Sequence, residues 1–103
     1  MMTPVEILRA ARKRLTMPGV WVNYCPQTSD CDCAVTACSR VDRAGIAWDD
    51  AATFLDRAAE AFGFYYEDDV VRPAARFNDA PKRTLEEVLT LFDQAILLAE
   101  SAP

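Results

Sequence analysis

Cys25, Cys31, Cys33 and Cys38 fall within fourteen positions, close enough for four thiolates to hold one tetrahedral zinc ion or to exchange disulfides. The gaps of five, one and four intervening residues depart from the paired ligands, two to four residues apart, of structural zinc sites. The simpler reading makes Cys33 and Cys38 small buried apolar groups and places Cys25 and Cys31 on a loop. A metal-binding or thiol-redox protein built on all four is the alternative, with zinc as its cofactor. Cys33 stands at an expected helix start, where free backbone amides favour a nucleophilic thiolate. The chain has no histidine, however, so no Cys–His pair can form and the commonest general base is missing.

The carboxylate pairs Asp49 and Asp50, Asp68 and Asp69, and Asp79 near Glu86 have the types needed for acid–base work or magnesium binding. Each also has a simpler local role in capping a helix, solvating a loop or holding a turn. Three glycines, each at an expected helix end, leave no phosphate-binding loop. The expectation is a non-enzymatic protein without a cofactor.

Sixteen acidic against eleven basic side chains give a formal charge of −5, which opposes direct binding to nucleic acid or to anionic membranes. Arg9, Arg12, Lys13 and Arg14 crowd the first element and Glu67, Asp68 and Asp69 form an acidic run; both read as solvated faces. No apolar run reaches the roughly 20 residues of a membrane span, and the amino terminus lacks a signal peptide's apolar centre. A cytoplasmic protein with reduced thiols is expected.

The elements that position these groups follow from spacing. Thr3, Pro4 and Glu6 open a first helix with a capping box, and Val5, Leu8, Ala11, Arg12 and Leu15 form its stripe until Met17, Pro18 and Gly19 stop it. Val20 to Tyr24 reads as a short strand. Asp32 caps a second helix with Ala34, Val35, Cys38 and Val41 on one face, ended by Gly45. Asp49 or Asp50 caps a third, with Ala51, Phe54, Leu55, Ala58 and Phe62 inward and Gly63 as its left-handed stop. Val70, Val71 and Ala74 to Phe77 read as extended pieces around Pro73, able to pair with Val20 to Tyr24. Thr84 and Glu87 form a second capping box before a closing helix with Leu85, Val88, Leu89, Phe92, Ile96 and Ala99 in its stripe. The expected architecture is a mainly α single domain over residues 1–103, four helices with a small two- or three-stranded sheet. Trp21 and Trp48 read as core, and Phe64, Tyr65 and Tyr66 as an exposed patch.

Phe77, Asn78, Asp79, Ala80, Pro81, Arg83 and Thr84 carry a family resemblance. Together with Cys33 and Ala34 at the second-helix opening, they make the chain similar to an uncharacterised bacterial and phage domain family, DUF6197. Phe77 replaces the family's second tryptophan, Asp32 stands where its first is usual, and Ala37 lies near its small-residue positions. The resemblance spans nearly the whole chain, with the strong motif confined to residues 77 to 93. Physically, Asn78 and Asp79 can form turn bonds, Pro81 stiffens the turn and Thr84 caps the helix, so a structural role accounts for the motif. The resemblance implies a small accessory protein that binds a bacterial host protein or complex and, in its narrower form, a phage-encoded, anti-CRISPR-like inhibitor whose carboxylates oppose a basic groove. The expected contact surface is Phe64, Tyr65, Tyr66, Glu67, Asp68 and Asp69.

Overall fold

A computed structural model of the chain describes residues 2–23, 32–42, 45, 47–66 and 71–102. Helix α1 (Pro4–Leu15) starts where the Thr3 hydroxyl accepts the Glu6 amide at 3.2 Å and the Glu6 carboxylate accepts the Thr3 amide at 2.9 Å. Its buried side is Ile7, Leu8, Ala11 and Leu15. Helix α5 (Leu85–Ser101) opens with the same reciprocal bonds between Thr84 and Glu87, at 3.2 and 2.9 Å. Between them lie α2 (Ala34–Val41), α3 (Ala47–Ala61) and α4 (Pro73–Asp79). Helix α3 packs on α5 and α4, and α1 packs on α2, α3 and α5. All five contribute to one core, with Leu55, Leu91 and Phe92 at its centre and alanines such as Ala37, Ala51 and Ala58 allowing close helix approach.

Both capping carboxylates are held below the usual value of 4.5, chiefly by the backbone amides of Thr3 and Thr84. As pH falls the unfolded chain takes up these protons first, so the contribution of the boxes is full above about pH 4.5 and is lost as pH drops through the folded values. Buried Asp56 works in the opposite sense. Its carboxyl is raised above 3.8 by burial, so its contribution declines as pH rises from 3.8 through the folded value. Glutamine preserves a capping box but does not titrate. Glu6→Gln with Glu87→Gln is therefore expected to flatten the acid limb of the melting temperature against pH, and an unchanged limb would place the acid sensitivity elsewhere.

Among the described residues the expected four helices and small sheet become five helices with no strand. Trp21 and Asp32 form a single parallel bridge, in which the Asp32 amide donates to Val20 O at 2.8 Å and the Val22 amide to Asp32 O at 3.2 Å. The ladder goes no further through Val22 and Asn23 because the Asn78 side-chain amide takes their carbonyls, at 3.2 and 2.9 Å. Tyr24 and Val70 lie outside the described residues. The segment Ala74 to Phe77, expected to be extended, is the body of α4. Pro73 occupies its first turn, where a missing N–H leaves nothing unpaired, and the Ala74 amide finds its acceptor on α3, Asp56 Oδ1 at 3.1 Å.

Four local expectations are also corrected. Cys33, rather than Asp32, is the N-cap of α2, its sulfur accepting the Thr36 amide at 3.4 Å. Asp49 and Asp50 sit within the first turn of α3, and the Trp48 amide is accepted by Asp42 at 3.2 Å. A Cβ on Gly45 would lie 2.5 Å from that Asp42 carboxylate, so this glycine makes room for the acceptor after α2 has already ended at Val41. Gly63, at φ +91°, does supply the left-handed turn after α3. Phe62 falls beyond the helix and is half exposed instead of completing its buried stripe.

Candidate functional site

The thiols divide by position. Cys33 is half-buried, within 3.1 Å of the Thr36 hydroxyl, and Cys38 is enclosed on the inner face of α2. Burial pushes the Cys38 thiol up to about 12, with the neighbouring Cys33 adding in the same direction. A nucleophile must be a thiolate, so Cys38 is held in the wrong state for that role. Cys25 and Cys31 lie outside the described residues, among which no group of three or more histidine, cysteine or acidic side chains converges as a metal site. Maleimide labelling of the folded protein at neutral pH, mapped by peptide mass, is expected to modify Cys33 and spare Cys38 until denaturant is added. Equal native labelling of both would mean that the inner face of α2 is open.

Buried polar groups are used inside the fold. Asn78 Oδ1 accepts the Trp21 indole N–H at 2.8 Å and the Ala34 amide at 3.1 Å, while its Nδ2 donates to Val22 O, Asn23 O and, at 3.2 Å, Asp79 Oδ1. Asn23 reciprocates, donating to Asn78 O at 2.7 Å and Ala80 O at 3.1 Å. Asn78 therefore ties α4 to the segment after α1 and to the start of α2, where a purely local turn bond was expected. Asp32 is fully buried between Arg14 of α1 and Arg40 of α2, each donating through Nε to a different carboxylate oxygen. Asp56 accepts from Arg72 at 2.9 Å and from the Tyr66 hydroxyl at 3.3 Å, and Arg72 also reaches Asp49 and lies 5.8 Å from the Trp48 ring. Burial and the adjacent Asp56 charge raise the Tyr66 phenol, which keeps it a donor at neutral pH.

One open region is aromatic. An open cleft of about 250 Å³ is lined by Phe62, Phe64, Phe77, Arg83, Glu87 and Thr90. Phe64 meets Phe77 edge-on at 5.3 Å between centroids, and Phe62 lies 5.7 Å from Phe77. The turn after α4, with Lys82 at φ +64° and the Arg83 amide bonded to Ala80 O at 3.1 Å, delivers Arg83 between the rings. Its guanidinium carbon sits 3.7 Å from the Phe77 centroid and 5.4 Å from that of Phe64, while Nε donates to Phe77 O at 2.7 Å and Nη1 pairs with Glu87 at 3.0 Å. Phe62, Tyr65 and Tyr66 are 50, 58 and 46% exposed.

Of the expected contact residues, Phe64 is half-buried in the cleft wall and Tyr65 and Tyr66 are exposed beside it in sequence, with Tyr66 tethered to Asp56. Glu67, Asp68 and Asp69 lie outside the described residues. Phe77, Asn78, Asp79, Pro81 and Thr84 build the corner, the first as cleft floor, the second as hub and the last as helix cap. Phe62, Arg83, Glu87 and Thr90 are cleft residues that the sequence pattern did not mark as such. Gly63 was the usable signal for Phe62, because a left-handed stop puts the residue before it past the last turn. Among the described residues no helix is long and apolar enough to cross a membrane.

No curated protein and no solved structure matches the chain. A family model does match, over residues 1–98, and the corner with the Asn78 hub and the α5 capping box lies wholly within that span. The chain thus belongs to DUF6197, a family of unknown function.

Proposed function

We propose that this domain is a non-enzymatic protein–protein interaction module that docks through the cleft of Phe62, Phe64, Phe77 and Arg83 together with Tyr65 and Tyr66. The observation that supports this reading is a cleft that gathers half-exposed Phe62, partly buried Phe64 and buried Phe77 around the stacked and ion-paired Arg83, with exposed Tyr65 and Tyr66 following in the sequence and the acidic residues 67–69 after them. Aromatic side chains and arginine are the groups that anchor interfaces, because they cover much area with few rotors. The acidic balance directs the surface toward a basic partner. The partner is a bacterial host protein or complex met in the cytoplasm, and the narrower form of the proposal is a phage-encoded inhibitor that occupies a nucleic-acid-directed groove of a host defence complex.

Photo-crosslinking from position 62 in bacterial lysate identifies the partner, and binding is then measured with both proteins purified. Phe62→Ser with Tyr65→Ala is expected to weaken that complex at least about tenfold while leaving the melting temperature near the parent value. Tyr66 is left intact because its hydroxyl serves Asp56. A complex indifferent to the double substitution would remove the cleft from the interface.

A further inference from the structure

A second cleft is lined by cations. It has a volume of about 370 Å³, lies at the carboxyl ends of α1 and α2, and is lined by Ala10, Lys13, Arg14, Thr16, Met17, Arg40 and Val41. Among the described residues it shares no lining residue with the aromatic cleft. The basic run of α1 is split by the fold: Arg9 and Arg12 turn to Glu100 and Asp93 of α5, at 3.1 and 2.8 Å, while Lys13 and Arg14 line the cleft. Arg14 and Arg40 both donate through Nε to the single buried carboxylate of Asp32, which fixes the two guanidinium planes at the cleft wall. Lys13, which has no ion pair among the described residues, adds a further positive charge at the rim. Between these cations lie Ala10, Val41 and the thioether of Met17, 47% exposed.

Cations on a fixed frame around an aliphatic floor select a ligand that carries carboxylates beside an aliphatic side chain. The geometry points to this cleft as a docking site for an acidic, leucine-like segment of a partner protein, independent of the aromatic cleft. Charge complementarity specifies the occupant. The cleft gathers Lys13, Arg14 and Arg40 on a chain of net charge −5, so a short acidic segment gains its attraction locally, whereas an extended polyanion such as a nucleic acid strand meets repulsion from the acidic remainder of the chain. Methionine suits such a floor because its unbranched, polarisable side chain adapts to the group it covers.

The test uses the full chain and a fluorescein-labelled hexapeptide of alternating glutamate and leucine, followed by anisotropy. The comparison probes are the same peptide with glutamine for glutamate and a labelled thymidine hexanucleotide. Binding of the glutamate peptide is expected to weaken as salt is raised and to fall about tenfold in Lys13→Glu, a substitution at an exposed side chain that leaves the Asp32 clamp in place. Met17→Ser, also exposed, is expected to weaken it without changing the salt dependence. The proposal is overturned if the glutamate peptide does not bind, if the glutamine peptide binds as well, if Lys13→Glu binds normally, or if the hexanucleotide binds as tightly as the peptide. Circular dichroism of both variants, matching the parent, ties any loss to the cleft.

Discussion

Asn78→Ala is expected to remove about 3–5 kcal/mol of folding stability, a large part of the roughly 5–15 kcal/mol available to a domain of this kind. The substitution leaves the Trp21 indole N–H, the Ala34 amide and the Val22 and Asn23 carbonyls without their partner in a place the native fold shields from water. Each orphaned group costs about 1–3 kcal/mol, less whatever relaxation and entering water restore. At about 4–8 °C per kcal/mol, the melting temperature should fall by some tens of degrees. Asn78→Asp sharpens the test. It keeps an acceptor for Trp21 and Ala34 but turns a carboxylate oxygen toward the carbonyls of Val22 and Asn23 and the carboxylate of Asp79, so it should destabilise at least as strongly as alanine at neutral pH. Calorimetry showing either variant within about 1 kcal/mol of the parent would mean that Asn78 does not join these segments.

Asp32→Ala is the second large effect. It leaves Arg14 and Arg40 facing one another across the α1–α2 interface, each only a quarter to a third exposed, with the carboxylate that reconciled them gone. Removing one member of such a buried ion cluster typically costs about 3–5 kcal/mol, and the partial exposure of the arginines puts the expected loss at the lower end. Replacing the whole cluster behaves differently, because the desolvation of all three charges disappears with them. The triple variant Arg14→Met, Asp32→Leu, Arg40→Met should therefore recover most of the loss. Urea unfolding reads this as a midpoint that drops in the single variant and returns in the triple, with an unchanged slope. A triple variant no more stable than the single one would show that charge desolvation is not what the cluster offsets, and a single variant as stable as the parent would show that Asp32 acts through its backbone bridge to Val20 and Val22 instead of through charge.

The features legible in the sequence are those whose partners sit within a few positions. Both capping boxes and the left-handed stop at Gly63 rest on bonds or spacings of one to four residues, and the fold contains them; of the expected stripes it buries Leu8, Ala11, Leu15, Val88 and Phe92, and adds Ile7, Leu91 and Ala95. What the pattern hid is decided by distant partners. The amides of α4 and α3 find acceptors on Asp56 and Asp42, so Pro73 reads as a breaker when only its neighbours are considered. Asp32 looks like a cap because the adjoining segment is polar, yet arginines 18 and 8 positions away draw it inside. The aromatic patch was visible as composition at residues 64–66. Its continuation through Phe62, Phe77 and Arg83 was not, since it depends on α3 and the α4–α5 turn ending at the same place.

The reciprocal bonds between Asn23 and Asn78 join positions 55 apart in the chain. During synthesis from the amino terminus, α1 and α2 emerge well before this clasp can close, and the Trp21 indole and the first amide of α2 must be served by water until α4 follows. The last step of ordering therefore belongs to the second half of the polypeptide, which brings both the acceptor for those donors and the Phe77 floor of the aromatic cleft. A nascent chain that stops before residue 78 has no finished amino-terminal subdomain, and the aromatic cleft comes into being together with the lock that completes the fold.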